Sequence, residues 1–358
     1  MRAAARWNLR RLAAPAAVLL AGAVAARALR RRPPIDFRDR VAVITGGSRG
    51  LGLLMARELA AEGARLAILA RDPVELDLAR RELAALSGYR VLALPCDVGN
   101  RDEIQWAIDT VAGRFGRIDI LINNAGTIQV GPLEHMDVED FEEALRVHFW
   151  GPLYATLAAL PHLRRQPGGR IVNIASIGGR VAIPHLAPYS ASKFALVGLS
   201  DGLRTELAKE GIYVTTVCPG LMRTGSHVNA RFKGKREEEF TWFAVTDALP
   251  LASMSGRRAA RRILEACRYG EPSLTLTMQA RIVAAANALA PSLTARALEL
   301  AARLLPGPAD ADGDEARPGW QSTSRWAPSL LTRLADEAAV ENNELQGRAA
   351  VYGNGSGA

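Results

Sequence analysis

The chain has 358 residues, 49% of them hydrophobic and 23% charged, enough for a sizeable buried core and too apolar for global disorder. The formal net charge of +8 invites an anionic partner such as nucleic acid until the charge is located. Residues 1–40 hold ten Arg and two Asp, leaving 35 basic and 35 acidic residues in the rest, so the charge gives no support to a nucleic-acid surface.

Between Arg11 and Arg27 lie fifteen uncharged residues, Leu12 to Ala26, mostly Ala, Val and Leu. A membrane-crossing helix needs about 20 apolar residues, so the run is short, although Arg at both ends can snorkel. Three readings are open: a single-helix membrane anchor, a cleaved secretory signal, and an interfacial or disordered Ala/Arg arm. The anchor is the expectation carried forward. It makes residues 1–36 a leader ending in the Pro33-Pro34 spacer and the protein membrane-associated, with its catalytic body on the cytoplasmic side; a secreted or luminal protein is the alternative. Four Arg on each side of the run give no firm orientation.

From Val41 onward, short β-branched runs alternate with longer helical ones. Strands are expected at Val41–Thr45, Leu66–Ala70, Val91–Leu94, Ile118–Asn123, Ile171–Ala175 and Tyr213–Cys218, with Leu274–Thr277 as a last candidate. Helices are expected near 51–62, 73–86, 101–114, 138–164, 188–209 and 257–268. Such alternation predicts an α/β fold, a Rossmann-type doubly wound parallel sheet covered on both faces, over about 37–280. A helical extension interrupted by Pro291 follows over 281–305, and then a flexible tail, 306–358, with a short helical candidate at 329–340.

The first strand runs into Thr45-Gly46-Gly47-Ser48-Arg49-Gly50-Leu51-Gly52 and then a helix. Glycines permit a tight turn and close backbone approach, and a helix start offers unpaired N–H groups to a pyrophosphate. The Thr-Gly-x-x-x-Gly-x-Gly spacing is followed by Cys96-Asp97-Val98, Asn123-Asn124-Ala125-Gly126, Ser176, Tyr189-Ser190-Ala191-Ser192-Lys193, and Pro219-Gly220 with Thr224, each at the end of a predicted strand or on the helix after it. In this order the sequence resembles the short-chain dehydrogenase/reductases over about residues 37–280.

The resemblance implies a nicotinamide cofactor held by Thr45, Gly46, Ser48, Arg49, Gly50, Leu51, Gly52, Arg71, Asp97, Val98, Asn124, Ala125, Gly126, Tyr189, Lys193, Pro219, Gly220 and Thr224. The second strand ends at Ala70 and Arg71 without an acid at its tip, and Arg49 adds a second guanidinium, a pattern that suits a 2′-phosphate. NADP(H) is expected, with NAD less favoured because Asp72 follows. Tyr189 and Lys193, four apart, share a helix face. The resemblance makes Tyr189 the general acid/base, Lys193 the group that lowers its pKa and holds the nicotinamide ribose, and Ser176 the hydrogen-bond partner of the substrate oxygen, with Ser176 and Tyr189 touching the substrate. His148 stands where the family usually has Asn. Two roles are open for it: a hydrogen-bonding member of an altered proton relay, or a helix residue of no catalytic consequence.

No His or Cys has metal-ligand spacing and no metal is expected; His185 and His227 are expected to be exposed to solvent. Residues 221–255 read as irregular, with Phe232, Phe240, Trp242 and Phe243 either lining an apolar substrate site or packing onto the body. The expected function is oxidoreduction between a hydrophobic ketone or aldehyde and an alcohol. The alternative is a catalytically weak NADP(H)-binding sensor or scaffold. Family resemblance also implies a homodimer or homotetramer paired through the helices at 138–164 and 188–209.

Overall fold

Apolar runs without alternation belong to strands buried on both faces. In the computed structural model, which describes residues 34–88, 91–249, 253–345 and 352, the runs read from the sequence take that place. The strands in chain order are β1 (Val41–Thr45), β2 (Arg65–Ala70), β3 (Leu92–Pro95), β4 (Ile120–Asn123), β5 (Gln129–Val130), β6 (Arg170–Ile174), β7 (Tyr213–Cys218), β8 (Leu221–Arg223), β9 (Arg231–Phe232), β10 (Ser253–Ser255), β11 (Ser273–Thr275) and β12 (Arg317–Pro318). Seven form one sheet in the order β3-β2-β1-β4-β6-β7-β11, every neighbouring pair parallel. The expected Rossmann-type sheet is therefore present.

Helix 50–61 packs on helices 73–87 and 256–269, while helix 101–115 packs on 151–163 and helix 138–145 on 187–207. One core joins Val41, Val43, Leu121 and Val214 of the sheet to Ile104, Ile108, Ala155 and Ala159 of the helices. Local signals start and stop these helices. The Asp72 carboxylate accepts from Val74 N and Glu75 N, Pro73 opens the first turn, and Gly88 ends it at φ 67°.

The single helix expected over 138–164 is interrupted. Helix Val138–Leu145 widens into a π-helical stretch, Arg146–Trp150, before Gly151–Leu163 resumes. Pro152 has no N–H to give the carbonyl four residues earlier, that of His148, so the α-helical register cannot be kept there.

The region beyond β7 departs further from the reading. The segment expected to be irregular holds helix Arg236–Ala248, and β9 joins β5 in parallel and β12 in antiparallel fashion. Phe232, Phe240 and Phe243 pack with Val228, Ala339 and Tyr352 in a second core. Where a flexible tail is expected, residues 306–345 run back over the body. Helix Arg333–Glu341 buries Ala335 and Ala339, and Tyr352 donates its hydroxyl to Asp336 Oδ1 at 2.7 Å. His227, expected at the surface, is buried beneath this tail, and His185 is half-buried against Glu239, its Nδ1 2.7 Å from the carboxylate.

The expectation of a membrane-associated protein is corrected here. Among the described residues no helix is long and apolar enough to cross a membrane. The Leu12–Ala26 run and the rest of the Arg-rich leader to residue 33 lie outside the described residues.

Candidate active site

In a doubly wound sheet a crevice opens at the carboxyl ends of the strands where their order reverses, here between β1 and β4. The glycine loop leaves β1 at that point. Gly46 and Gly50 have φ of +63° and +54°, and a Cβ on Gly52 would collide with the Gly46 carbonyl. Asn124, at the end of β4, clamps the loop: its Nδ2 donates to Thr45 O and Gly46 O at 3.1 and 3.0 Å. Thr45 Oγ1 accepts from the backbone N–H of Asn124 and Ala125 at 3.0 and 3.1 Å. The helix that follows starts after Arg49 without a side-chain cap, and the first of its N–H groups, that of Gly50, donates to the backbone carbonyl of Asn342.

A cleft of about 830 Å³ runs from this loop toward β6 and β7. Of the residues the sequence assigns to a cofactor, Gly46, Ser48, Arg49, Gly50, Leu51, Arg71, Asp97, Val98, Asn124, Ala125, Gly126, Pro219 and Thr224 line it, together with His148, Tyr189 and Lys193. Thr45, Gly52 and Gly220 stand behind the lining, where they let the chain pack closely; a Cβ on Gly220 would lie 2.5 Å from Thr277 Oγ1. The two guanidinium groups are in different states. Arg71 is exposed at the tip of β2. Arg49 is ion-paired with Glu75 at 2.9 Å and with Glu344 at 3.3 Å. Burial works against the Arg49 charge, but Glu344 and Glu75 outweigh it and hold its pKa above the ordinary value. Asp72 spends its carboxylate on capping helix 73–87.

Tyr189 and Lys193 sit on helix Ala187–Leu207, whose first turn carries Pro188. Lys193 is buried and donates from Nζ to Ile174 O at 2.9 Å, which ties this helix to the end of β6. Burial pushes its pKa down to about 7. Burial likewise raises Tyr189 above the ordinary phenol, the hydrogen bond with the Ser176 side chain acting the other way. Ser176 Oγ accepts from Gly178 N at 3.0 Å. A Cβ on Gly178 would lie 3.2 Å from Tyr189 Cε1 and 3.4 Å from Ser176 Oγ, so glycine there lets serine and tyrosine face each other.

His148 lies on the π-helical stretch, 1% exposed, its ring edge-on to Tyr189 with centroids 5.4 Å apart. Its Nε2 accepts from the backbone N–H of Thr127 at 3.1 Å. That leaves Nδ1 as the protonated nitrogen, 2.8 Å from Ser192 Oγ, and Ser192 in turn donates to Tyr189 O at 2.8 Å. Burial first, and then Lys193, lower the His148 pKa well below the ordinary value, so the ring is neutral.

Several site residues carried no legible signal. Thr127 and Ser192 become partners of His148 only through the fold, and Glu75 was one more acid in a helix. Glu344, Pro318 and Trp320 reach the cleft from the tail. On the substrate side the walls are Ile128, Met222 and Trp320 with Arg231, whose guanidinium donates to Glu143 at 2.9 Å. Phe232, Phe240 and Phe243 belong to the second core and not to this wall.

Comparison with known proteins agrees with this geometry. The family model described as short chain dehydrogenase matches residues 40–234. A putative ketoacyl reductase of the granaticin polyketide synthase of Streptomyces violaceoruber is 35% identical over 231 residues, 63% of this chain and 85% of that one. D-beta-hydroxybutyrate dehydrogenase of Rhizobium meliloti is 37% identical over 186 residues, 52% and 72% of the two chains. The crystal structure of L-sorbose reductase from Gluconobacter frateurii, complexed with NADPH and L-sorbose, superposes with a TM-score of 0.61 at 27% identity, covering 68% of this chain and 97% of that one. With a parallel sheet in this order and a family match over more than half its length, the chain belongs to the short-chain dehydrogenase family and is an oxidoreductase of that family.

Proposed function

We propose that the protein is an NADP(H)-dependent reductase interconverting a ketone or aldehyde with an alcohol. The carrying observation is that Tyr189 and Lys193 line one end of a cleft whose other end is the glycine loop, with Ser176 joined to Tyr189 by a side-chain hydrogen bond. A bound dinucleotide supplies the hydride. Tyr189 gives its phenolic proton to the carbonyl oxygen, and its raised pKa keeps that proton available at neutral pH. The Ser176 hydroxyl donates to the same oxygen as charge grows on it. Lys193 braces the site through Ile174 O and faces the Tyr189 ring with Nζ 5.6 Å from its centroid. His148 is a positioning residue, a neutral strut between the Thr127 backbone and the Tyr189 turn, rather than a group that titrates.

NADP(H) over NAD(H) is supported by exposed Arg71 at the β2 tip and by the engagement of Asp72 in helix capping, away from a ribose. The NADPH-bound sorbose reductase is in keeping with this preference. Ile128, Met222 and Trp320 beside Arg231 suit a carbonyl compound with an apolar body and a polar end. Trp150, Leu157 and Phe194, exposed at 45%, 54% and 44% on the two long helices, support pairing with a second copy. The test is NADPH and NADH oxidation by purified protein against a panel of ketones and aldehydes. Carbonyl-dependent oxidation, faster with NADPH, is expected; dinucleotide binding with no turnover of any carbonyl or alcohol would replace the enzyme by a sensor.

A further inference from the structure

The phosphate end of the cleft is filled by the protein's own C-terminal region. The first N–H of the uncapped helix, that of Gly50, donates to Asn342 O at 2.8 Å. The Glu344 carboxylate, 4% exposed, pairs with Arg49 Nε at 3.3 Å and stands where a Cβ on Gly50 would lie 2.5 Å from its Oε1. Helix starts bind phosphate through these backbone donors, with cationic side chains beside them. An anion here would need the same donor and the same guanidinium that the tail holds.

We propose that Asn342–Glu344 is a built-in competitor of the dinucleotide phosphates, so that cofactor binding and release of the tail are coupled. This rests on the reading of the cleft as the dinucleotide site. Glu344 carries the type of charge a phosphate carries, and Asn342 O supplies the acceptor for Gly50. Burial raises the Glu344 pKa against the attraction of Arg49, so the carboxylate sits there at a desolvation cost, as a contact meant to be displaced would. The same segment grips the loop over the catalytic end: Asn342 Nδ2 donates to Thr224 O at 3.3 Å, and Asn229 Nδ2 donates to Glu344 O at 2.8 Å. Displacing the tail from the phosphates therefore also frees the loop around the substrate. By reciprocity, whatever holds the tail weakens cofactor binding by the factor with which cofactor loosens the tail.

The experiment uses the full chain as wild type, Glu344→Gln and Glu344→Ala, titrated with NADPH and with NADH, and hydrogen exchange of wild-type peptides from 333–345 with and without saturating NADPH. Both variants are expected to bind NADPH about tenfold more tightly, and the amides of 333–345 to exchange faster when NADPH is bound. Binding that is unchanged or weaker in both variants, or wild-type protection of 333–345 that holds or rises with NADPH, overturns the proposal and makes the tail a fixed wall. The exchange measurement needs no variant, so it decides even if the variants misfold. If neither dinucleotide binds any of the three proteins, the dinucleotide-site reading itself falls, which is a different outcome from equal binding.

Discussion

The chain up to Cys218 and the chain beyond it are built by different rules. In the first, helices connect the successive strands of the seven-stranded sheet, and the glycine loop, Asn124, Ser176 and Tyr189 all stand at strand ends or on the helix after them. In the second, a two-residue strand near residue 317 pairs with one near 231, which pairs with one near 129. The family match covers the first and stops at residue 234. On the proposed function the first region carries the chemistry, and on the tail proposal the second sets access to the cleft. Perturbations should divide the same way, into those that change the chemical step and those that change stability or access.

The largest effect is expected from Tyr189→Phe, which keeps the ring and removes the proton donor. The carbonyl reduction rate should fall about 10³-fold, roughly 4 kcal/mol of barrier, with thermal stability and NADPH binding retained. Near-normal steady-state turnover would remove tyrosine from the chemistry and with it the division drawn above.

Next comes a purely structural effect in the second region. Asp247 is buried on helix 236–248 with Oδ2 unpaired and 3.9 Å from His227 Nδ1, which is also unpaired. Burial raises the Asp247 pKa to about 6. A carboxylate whose folded pKa is raised contributes stability below its unfolded value, near 4, and loses it as pH rises through about 6. Asp247→Asn does not titrate, so it should be more stable than wild type at pH 8, by at most about 3 kcal/mol, and lose that advantage at pH 4. Denaturant unfolding at the two pH values checks this; a constant difference across pH would assign the shift to another group.

This contrast also explains what the sequence disclosed. The parallel sheet, most of its strands and the positions of Gly46, Tyr189 and Lys193 were legible because each signal is local: an apolar run, a glycine spacing, two residues four apart on a helix. His148 was visible as a departure, but its neutral tautomer was not, because that depends on Thr127 N–H and Ser192, brought to it by the fold. The tail's helix was read near 329–340, but its packing on the body was invisible for a related reason. Its Asp-, Pro- and Gly-rich composition resembles a linker, yet Ala339 and Tyr352 find an apolar surface made by Phe240 and Val228 about a hundred residues earlier. The phenylalanines that suggested an apolar substrate are consumed by that same core.

A smaller effect should follow from Gly225→Ala. Gly225 has φ +89°, and a Cβ there would collide with the backbone of Ala339 on the tail helix. The left-handed conformation and the clash together should cost about 2 kcal/mol. The loss should appear as faster amide exchange in 333–345, with the parallel sheet unaffected. Equal loosening of β1–β4 would show that the two regions unfold as one unit.

The smallest effect tests which guanidinium reads a 2′-phosphate. Arg71→Ala should weaken NADPH binding about tenfold, the worth of one charge-assisted contact, and leave NADH binding unchanged. Arg49→Ala should behave differently, because it removes both a contact for phosphate and the partner that holds Glu344 in the cradle. The two consequences oppose each other, so its NADPH affinity should change less than that of Arg71→Ala while NADH binds more tightly. If Arg49→Ala instead weakens NADPH more than Arg71→Ala does and leaves NADH untouched, Arg49 is a plain phosphate ligand, and the tail contact draws nothing from it.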